Sequence, residues 1–147
     1  MNLIKKILIG VIPFAVGTIA ALFNKFDLYK NINMPKIAPP SYLFPIVWTI
    51  LYIFMGIVLV RLVETNKKEN IFIFSIQLFL NFIWTFLFFK FKAFLSSFII
   101  IIFLDVFVFY LILRLFNDDR KSAYYLMPYL LWICFASYLN WMVYLLN

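Results

Sequence analysis

The chain has 147 residues, 67% of them apolar and only 13% charged, about half the charge of an average soluble domain. This is the composition of a membrane protein, and loops totalling a few tens of residues leave no room for a soluble domain. It has no histidine, the commonest metal ligand and general base, so no metal is expected; its net charge of +7 sits at helix ends facing headgroups, not nucleic acid.

Five runs of about 18 to 26 residues carry little or no charge, enough to cross roughly 30 Å of hydrocarbon. A backbone in lipid must satisfy its own hydrogen bonds, so each run is read as a helix. The expectation is an all-α fold, a single integral membrane bundle of five transmembrane helices near 3–23, 41–62, 70–90, 93–116 and 121–146. Lys5 and Lys6 before the first run could mark a signal peptide, but that run continues for about 17 residues without a small-x-small cleavage site. It is therefore read as the first span. Gly10, Pro13, Gly17, Ala20 and Ala21 lie near one of its faces. Small residues permit close helix approach, and Pro13 should bend the helix.

Residues 24–40 form a long loop, a lid stiffened by Pro35, Pro39 and Pro40. It leads straight into the second helix, where Trp48, Tyr52 and then Met55 or Gly56 recur at helical spacing. Arg61–Asn70 reads as a short charged turn. Lys90, Phe91 and Lys92 make a turn so short that the third and fourth helices must be antiparallel neighbours. Asp105 is the one charge in mid-membrane, roughly 18 Å beyond that turn. Intramembrane carboxylates mark function by default; the structural alternative is a hydrogen-bonded partner. Gln77 lies as far before Phe91 as Asp105 lies after it, so the two are expected to be level and bonded. Lone Cys134, inside the last run, reads as a small buried hydrophobe.

Trp48, Trp84 and Trp141 fall roughly 8–10 Å inside the lid face, compatible with an interfacial belt. Trp132 is too deep for a belt and shares an i+4 ridge with Ala136 and Asn140. With Trp48 and Tyr52, these residues either make ordinary helix contacts or wall a cavity under the lid suited to a flat apolar ligand. Lys5, Lys6, Arg61, Lys67, Lys68, Arg114, Arg120 and Lys121 fall on one side of the membrane. Lys25, Lys30, Lys36, Lys90 and Lys92 fall on the other, which favours the N-terminus inside.

Three stretches carry a resemblance. The first holds Pro35, Pro39, Pro40, Val47, Trp48, Thr49, Leu51, Tyr52, Met55 and Gly56; the others are QLFLNFIWTFLFF at 77–89 and LMPYLLWICFASYLN at 126–140. Together they resemble the translocator protein family, the tryptophan-rich sensory proteins or TspO/MBR family. Met34 stands where that family usually has Lys, and Ile37 where it has Trp. The resemblance implies a homodimer in the lipid bilayer, here of a bacterial cytoplasmic membrane, that binds porphyrins such as protoporphyrin IX and requires no cofactor. It places the ligand under the lid, against Pro39, Phe44, Trp48, Tyr52, Asn81, Trp84, Phe88, Trp132, Ala136 and Asn140. Tetrapyrrole sensing, handling or transport is the first functional expectation. One alternative is light- and oxygen-dependent porphyrin breakdown with Trp48 and Trp132 as redox groups, so enzyme activity stays open. The other is a small-molecule transporter with Asp105 and Gln77 as a short polar path. No Lys or Arg follows Lys121, so the cholesterol motif of animal members is missing from the last helix. Val108, Tyr110 and Arg114 fit its loose pattern elsewhere.

Overall fold

The structure is a computed structural model and describes residues 1–23 and 32–147; the lid segment 24–31, with Lys25 and Lys30, lies outside the described residues. The fold is all-α. Its helices are α1 (Leu3–Gly10), α2 (Ile12–Phe23), α3 (Leu43–Thr65), α4 (Lys68–Thr85), α5 (Phe94–Asp118) and α6 (Arg120–Leu146). A five-residue π turn, Phe86–Lys90, extends α4. Together α1 and α2 make one span, interrupted at Val11, and with the other four they give, among the described residues, five helices long and apolar enough to cross a membrane. The interruption falls two residues before Pro13, whose missing N–H removes a ladder bond.

Four helices, α3 to α6, build the core, with Met55, Val58, Ile101, Leu104, Val108, Tyr129 and Ile133 fully enclosed. The first span lies outside this core and buries only Pro13 and Ala20. It touches α3 where glycines permit. A Cβ on Gly56 would overlap the Gly10 carbonyl oxygen, and one on Gly17 would overlap the Tyr52 ring. The small residues on that face therefore do what their size suggested.

Charged side chains lock one end of the bundle. Lys6 pairs with Glu64 at 3.0 Å, Lys67 with Asp118 at 2.7 Å and Arg114 with Glu69 at 3.1 Å. Asn70 donates to Asp118 at 2.9 Å and accepts from Arg114 at 2.8 Å. At the opposite end, Asn147 and Asn33 exchange hydrogen bonds of 3.0 and 3.1 Å, tying the lid to the end of α6. Met1 and Asn147 thus sit at opposite ends of the bundle.

At the charged end Arg61 donates to both Asp119 oxygens at 2.8 and 2.9 Å, and Ser122 Oγ adds a third bond at 2.7 Å. The guanidinium bonds hold the Asp119 carboxyl at about 2, below its ordinary 3.8. A carboxyl depressed in the folded state stabilises above its unfolded pKa, and that contribution is lost as pH falls through the folded one. Thermal stability in micelles should therefore drop between about pH 4 and about pH 2. Asp119→Asn should flatten that limb of the curve; an unchanged drop in the variant would place the acid sensitivity elsewhere.

Two expectations need correction. Gln77 does not meet Asp105. Gln77 accepts from Tyr129 Oη at 2.8 Å and donates to Met55 Sδ at 3.8 Å, while Asp105 accepts from Ser137 Oγ at 2.6 Å. Equal distance from a turn sets height, not direction. The π turn adds a residue to the end of α4, closed by Phe91 N–H donating to Phe86 O at 3.0 Å. Asp105 lies about 100° round α5 from buried Leu104, so it faces α6 instead. Cys134 is exposed on the outer face of α6 rather than buried.

Candidate functional site

A cavity of about 110 Å³ lies between α2, α3 and α4. From α3 come Pro45, Trp48, Thr49 and Tyr52, one face at i+3/i+4 spacing. From α4 and its π turn come Trp84, Thr85 and Phe89, and α2 closes the space with Phe14, Gly17, Thr18, Ala20 and Ala21. Trp48 is the hub of the rings. Its centroid is 5.6 Å from Tyr52, 6.0 Å from Trp84 and 6.3 Å from Tyr129, within the range of favourable aromatic pairs. Trp84 in turn stacks on Phe88 at 5.3 Å.

Polar side chains behind the rings fix their orientation. Trp84 Nε1 donates to Asn140 Oδ1 at 3.0 Å, which also accepts from Ser97 Oγ at 2.9 Å, while Asn140 Nδ2 donates to Phe94 O at 2.8 Å. Tyr52 Oη donates to Asn81 Oδ1 and Asn81 Nδ2 to Tyr129 Oη, each at 2.9 Å, and Tyr129 Oη donates to Gln77 Oε1 at 2.8 Å. Such groups must be paired when buried, and here the pairing runs from the cavity wall to the bundle centre. The threonine hydroxyls turn away: Thr18, Thr49 and Thr85 donate to carbonyls four residues back, at 2.9, 2.7 and 3.0 Å. The cavity therefore presents mainly ring faces and methyl groups.

Of the residues expected at a ligand site, Trp48, Tyr52 and Trp84 line this cavity. Asn81, Asn140 and Phe88 support it from behind. Ala136 is buried in the core and half-buried Pro39 lies on the lid. Trp132 does not join Trp48 and Tyr52. It contacts Phe44 edge-on at 5.9 Å and lines an outer groove between α3 and α6 with Val47, Leu51 and Pro128. None of the described lid residues lines the cavity. The sequence reading missed Phe14, Thr18, Pro45, Thr49, Thr85 and Phe89, and took Gly17, Ala20 and Ala21 only as packing residues. Thr85 had a signal, since it adjoins Trp84; Phe89, brought round by the π turn, and Phe14 had none.

Among the described residues, five helices long and apolar enough to span a membrane define a multi-pass integral membrane protein, and the first of them walls the aromatic cavity together with α3 and α4. The chain belongs to the TspO/MBR family, which residues 9–145 match. The tryptophan-rich protein TspO of Archaeoglobus fulgidus is 36% identical to it, over all of this chain and 99% of its own. That of Chlorobaculum tepidum is 37% identical over 81% of this chain and 78% of its own. A tryptophan-rich sensory protein of Cereibacter sphaeroides is 29% identical over 90% and 85% of the two chains.

Proposed function

We propose that the protein binds a flat apolar tetrapyrrole, of the protoporphyrin IX kind, in the cavity between α2, α3 and α4, as part of a sensory or transport role. The carrying observation is the convergence of Trp48, Tyr52 and Trp84 on one space whose hydroxyls are turned away. Ring faces reward planar π systems, each pair by roughly 1 kcal/mol beyond the area buried. A relative named as a sensory protein supports the sensory half. The clustering of Lys5, Lys6, Lys67 and Lys68 with Arg114, Arg120 and Lys121 at the N-terminal end supports an inside N-terminus.

Titration with protoporphyrin IX in the dark, followed by its absorption bands, is the test. Trp48→Leu should weaken binding by about tenfold or more, the equivalent of 1.4 kcal/mol. Trp132→Phe should leave affinity unchanged, because Trp132 lines a different groove. Equal losses in both variants would move the site to the α3–α6 face. Illumination separates binding from breakdown, since breakdown bleaches the bands and binding only shifts them.

A further inference from the structure

We infer that the ligand enters the cavity sideways from the bilayer, between the first span and α3, past Phe14, rather than from water under the lid. This rests on the reading of the aromatic cavity as the ligand site. At about 110 Å³ the cavity alone is below the 300–1,000 Å³ of sites that take cofactor-sized ligands. A groove of about 590 Å³ runs along the outside of the first span and α3. The two spaces share Phe14 and Thr49, which line both. With Phe14 turned aside, cavity and groove become one space of cofactor size.

The boundary is built to yield. Phe14 is 44% exposed, so no core packing holds its ring, and exposed side chains change rotamer in picoseconds to nanoseconds. It follows Pro13 in the first turn of α2, just past the interruption at Val11, where the proline leaves one ladder bond unmade. The first span is also the least enclosed of the five, with 11% of its spanning window buried against 33–44% for the others. Apart from Lys6 at the charged end of the groove, the way in is apolar. The Thr49 and Thr18 hydroxyls are bonded within their own helices, and the groove wall carries Ile53, 52% exposed. An apolar molecule dissolved in the hydrocarbon crosses such a boundary without desolvating a polar group, whereas one coming from water must leave water first. The ligand class is therefore a membrane-dissolved planar molecule that leads with an uncharged edge.

The test is kinetic, with the full chain in phosphatidylcholine nanodiscs and protoporphyrin IX as probe in the dark. Phe14→Ala should speed association by about tenfold, and dissociation by at least as much because a cavity ring is also lost, whereas Phe14→Trp should slow association. Asn33→Ala with Asn147→Ala, which frees the lid from α6, should leave both rates unchanged. Rates that ignore Phe14 but rise in the lid variant overturn the lateral route and leave the cavity reading standing. If the wild-type protein binds no porphyrin, the tetrapyrrole reading falls. The lateral opening is then decided by a nitroxide at Phe14→Cys in a Cys134→Ser background. Collision with oxygen and shielding from a water-soluble nickel chelate support an opening to hydrocarbon; the reverse pattern overturns it.

Discussion

Gly56→Ala is expected to destabilise the bundle by about 3 kcal/mol, the upper end of overpacking costs, because the new methyl overlaps the carbonyl oxygen of Gly10. The obstacle is backbone, so no rotamer change relieves it, and the whole first span must move off α3. Gly10→Ala, on the other side of the same contact, should be nearly neutral. Its Cβ would meet Val60 Cγ2 at 3.4 Å and the Gly56 oxygen at 3.7 Å, ordinary packing distances, and alanine favours the helix by up to about 1 kcal/mol. Gly17→Ala should fall between. Its Cβ overlaps the Tyr52 ring, which is a side chain and can shift, but only by straining the Tyr52–Asn81 bond. Unfolding in mixed micelles reads all three. A Gly10→Ala variant as unstable as Gly56→Ala would mean that the contact between α1 and α3 is not the one described.

The spans were readable because a bilayer demands long apolar runs and charge interrupts them. The helix ends were readable only to a few residues, for a physical reason. Lys68 and Glu69 looked like loop, yet both lie in α4, because Glu69 and Asn70 reach across to Arg114 and an acidic first turn suits the helix dipole. What the sequence hid was rotation. Nothing in FLFFK marks the π turn at Phe86–Lys90, and without it the partner of Gln77 was misplaced.

Rotation also decided how much of the site was readable. Trp48 and Tyr52 lie one turn apart, and that short step keeps them on one face. Trp132, Ala136 and Asn140 also step by four, but each step drifts about 40° on a helix of 3.6 residues per turn. Over two steps the drift separates them: Asn140 is fully buried behind Trp84, whereas Trp132 is half-buried on the outer groove. The α2 wall was hidden for a different reason. Gly17, Ala20 and Ala21 carry no chemistry of their own, and Phe14 reads like any lipid-facing ring. Only the packing of α2 over Tyr52 gives them a role.

Asn81→Leu should be the most damaging polar substitution. Asn81 is 1% exposed and joins two tyrosines, accepting from Tyr52 Oη and donating to Tyr129 Oη. Leucine fills the same space but leaves the Tyr52 hydroxyl without an acceptor and removes one donor from Tyr129, which keeps Gln77 as its acceptor. Unpaired buried groups cost about 1–3 kcal/mol each in water-soluble proteins. In bilayers single interhelical bonds average about 0.6 kcal/mol, because the unfolded helices also find partners. With two bonds lost, and one hydroxyl stranded among rings, about 2 kcal/mol is expected. The cause can be separated from simple misfit by a double-mutant cycle. Tyr52→Phe removes the stranded hydroxyl, so Asn81→Leu with Tyr52→Phe should be less destabilised than the two single losses added, by about 1 kcal/mol. Strict additivity would show that Tyr52 and Asn81 act independently. The same pair links stability to the cavity. Tyr52 is a wall of the space as well as a member of the chain to Gln77, so freeing its ring in Asn81→Leu should weaken protoporphyrin IX binding, while Gln77→Leu, two bonds further from the wall, should lower stability and leave binding nearly intact.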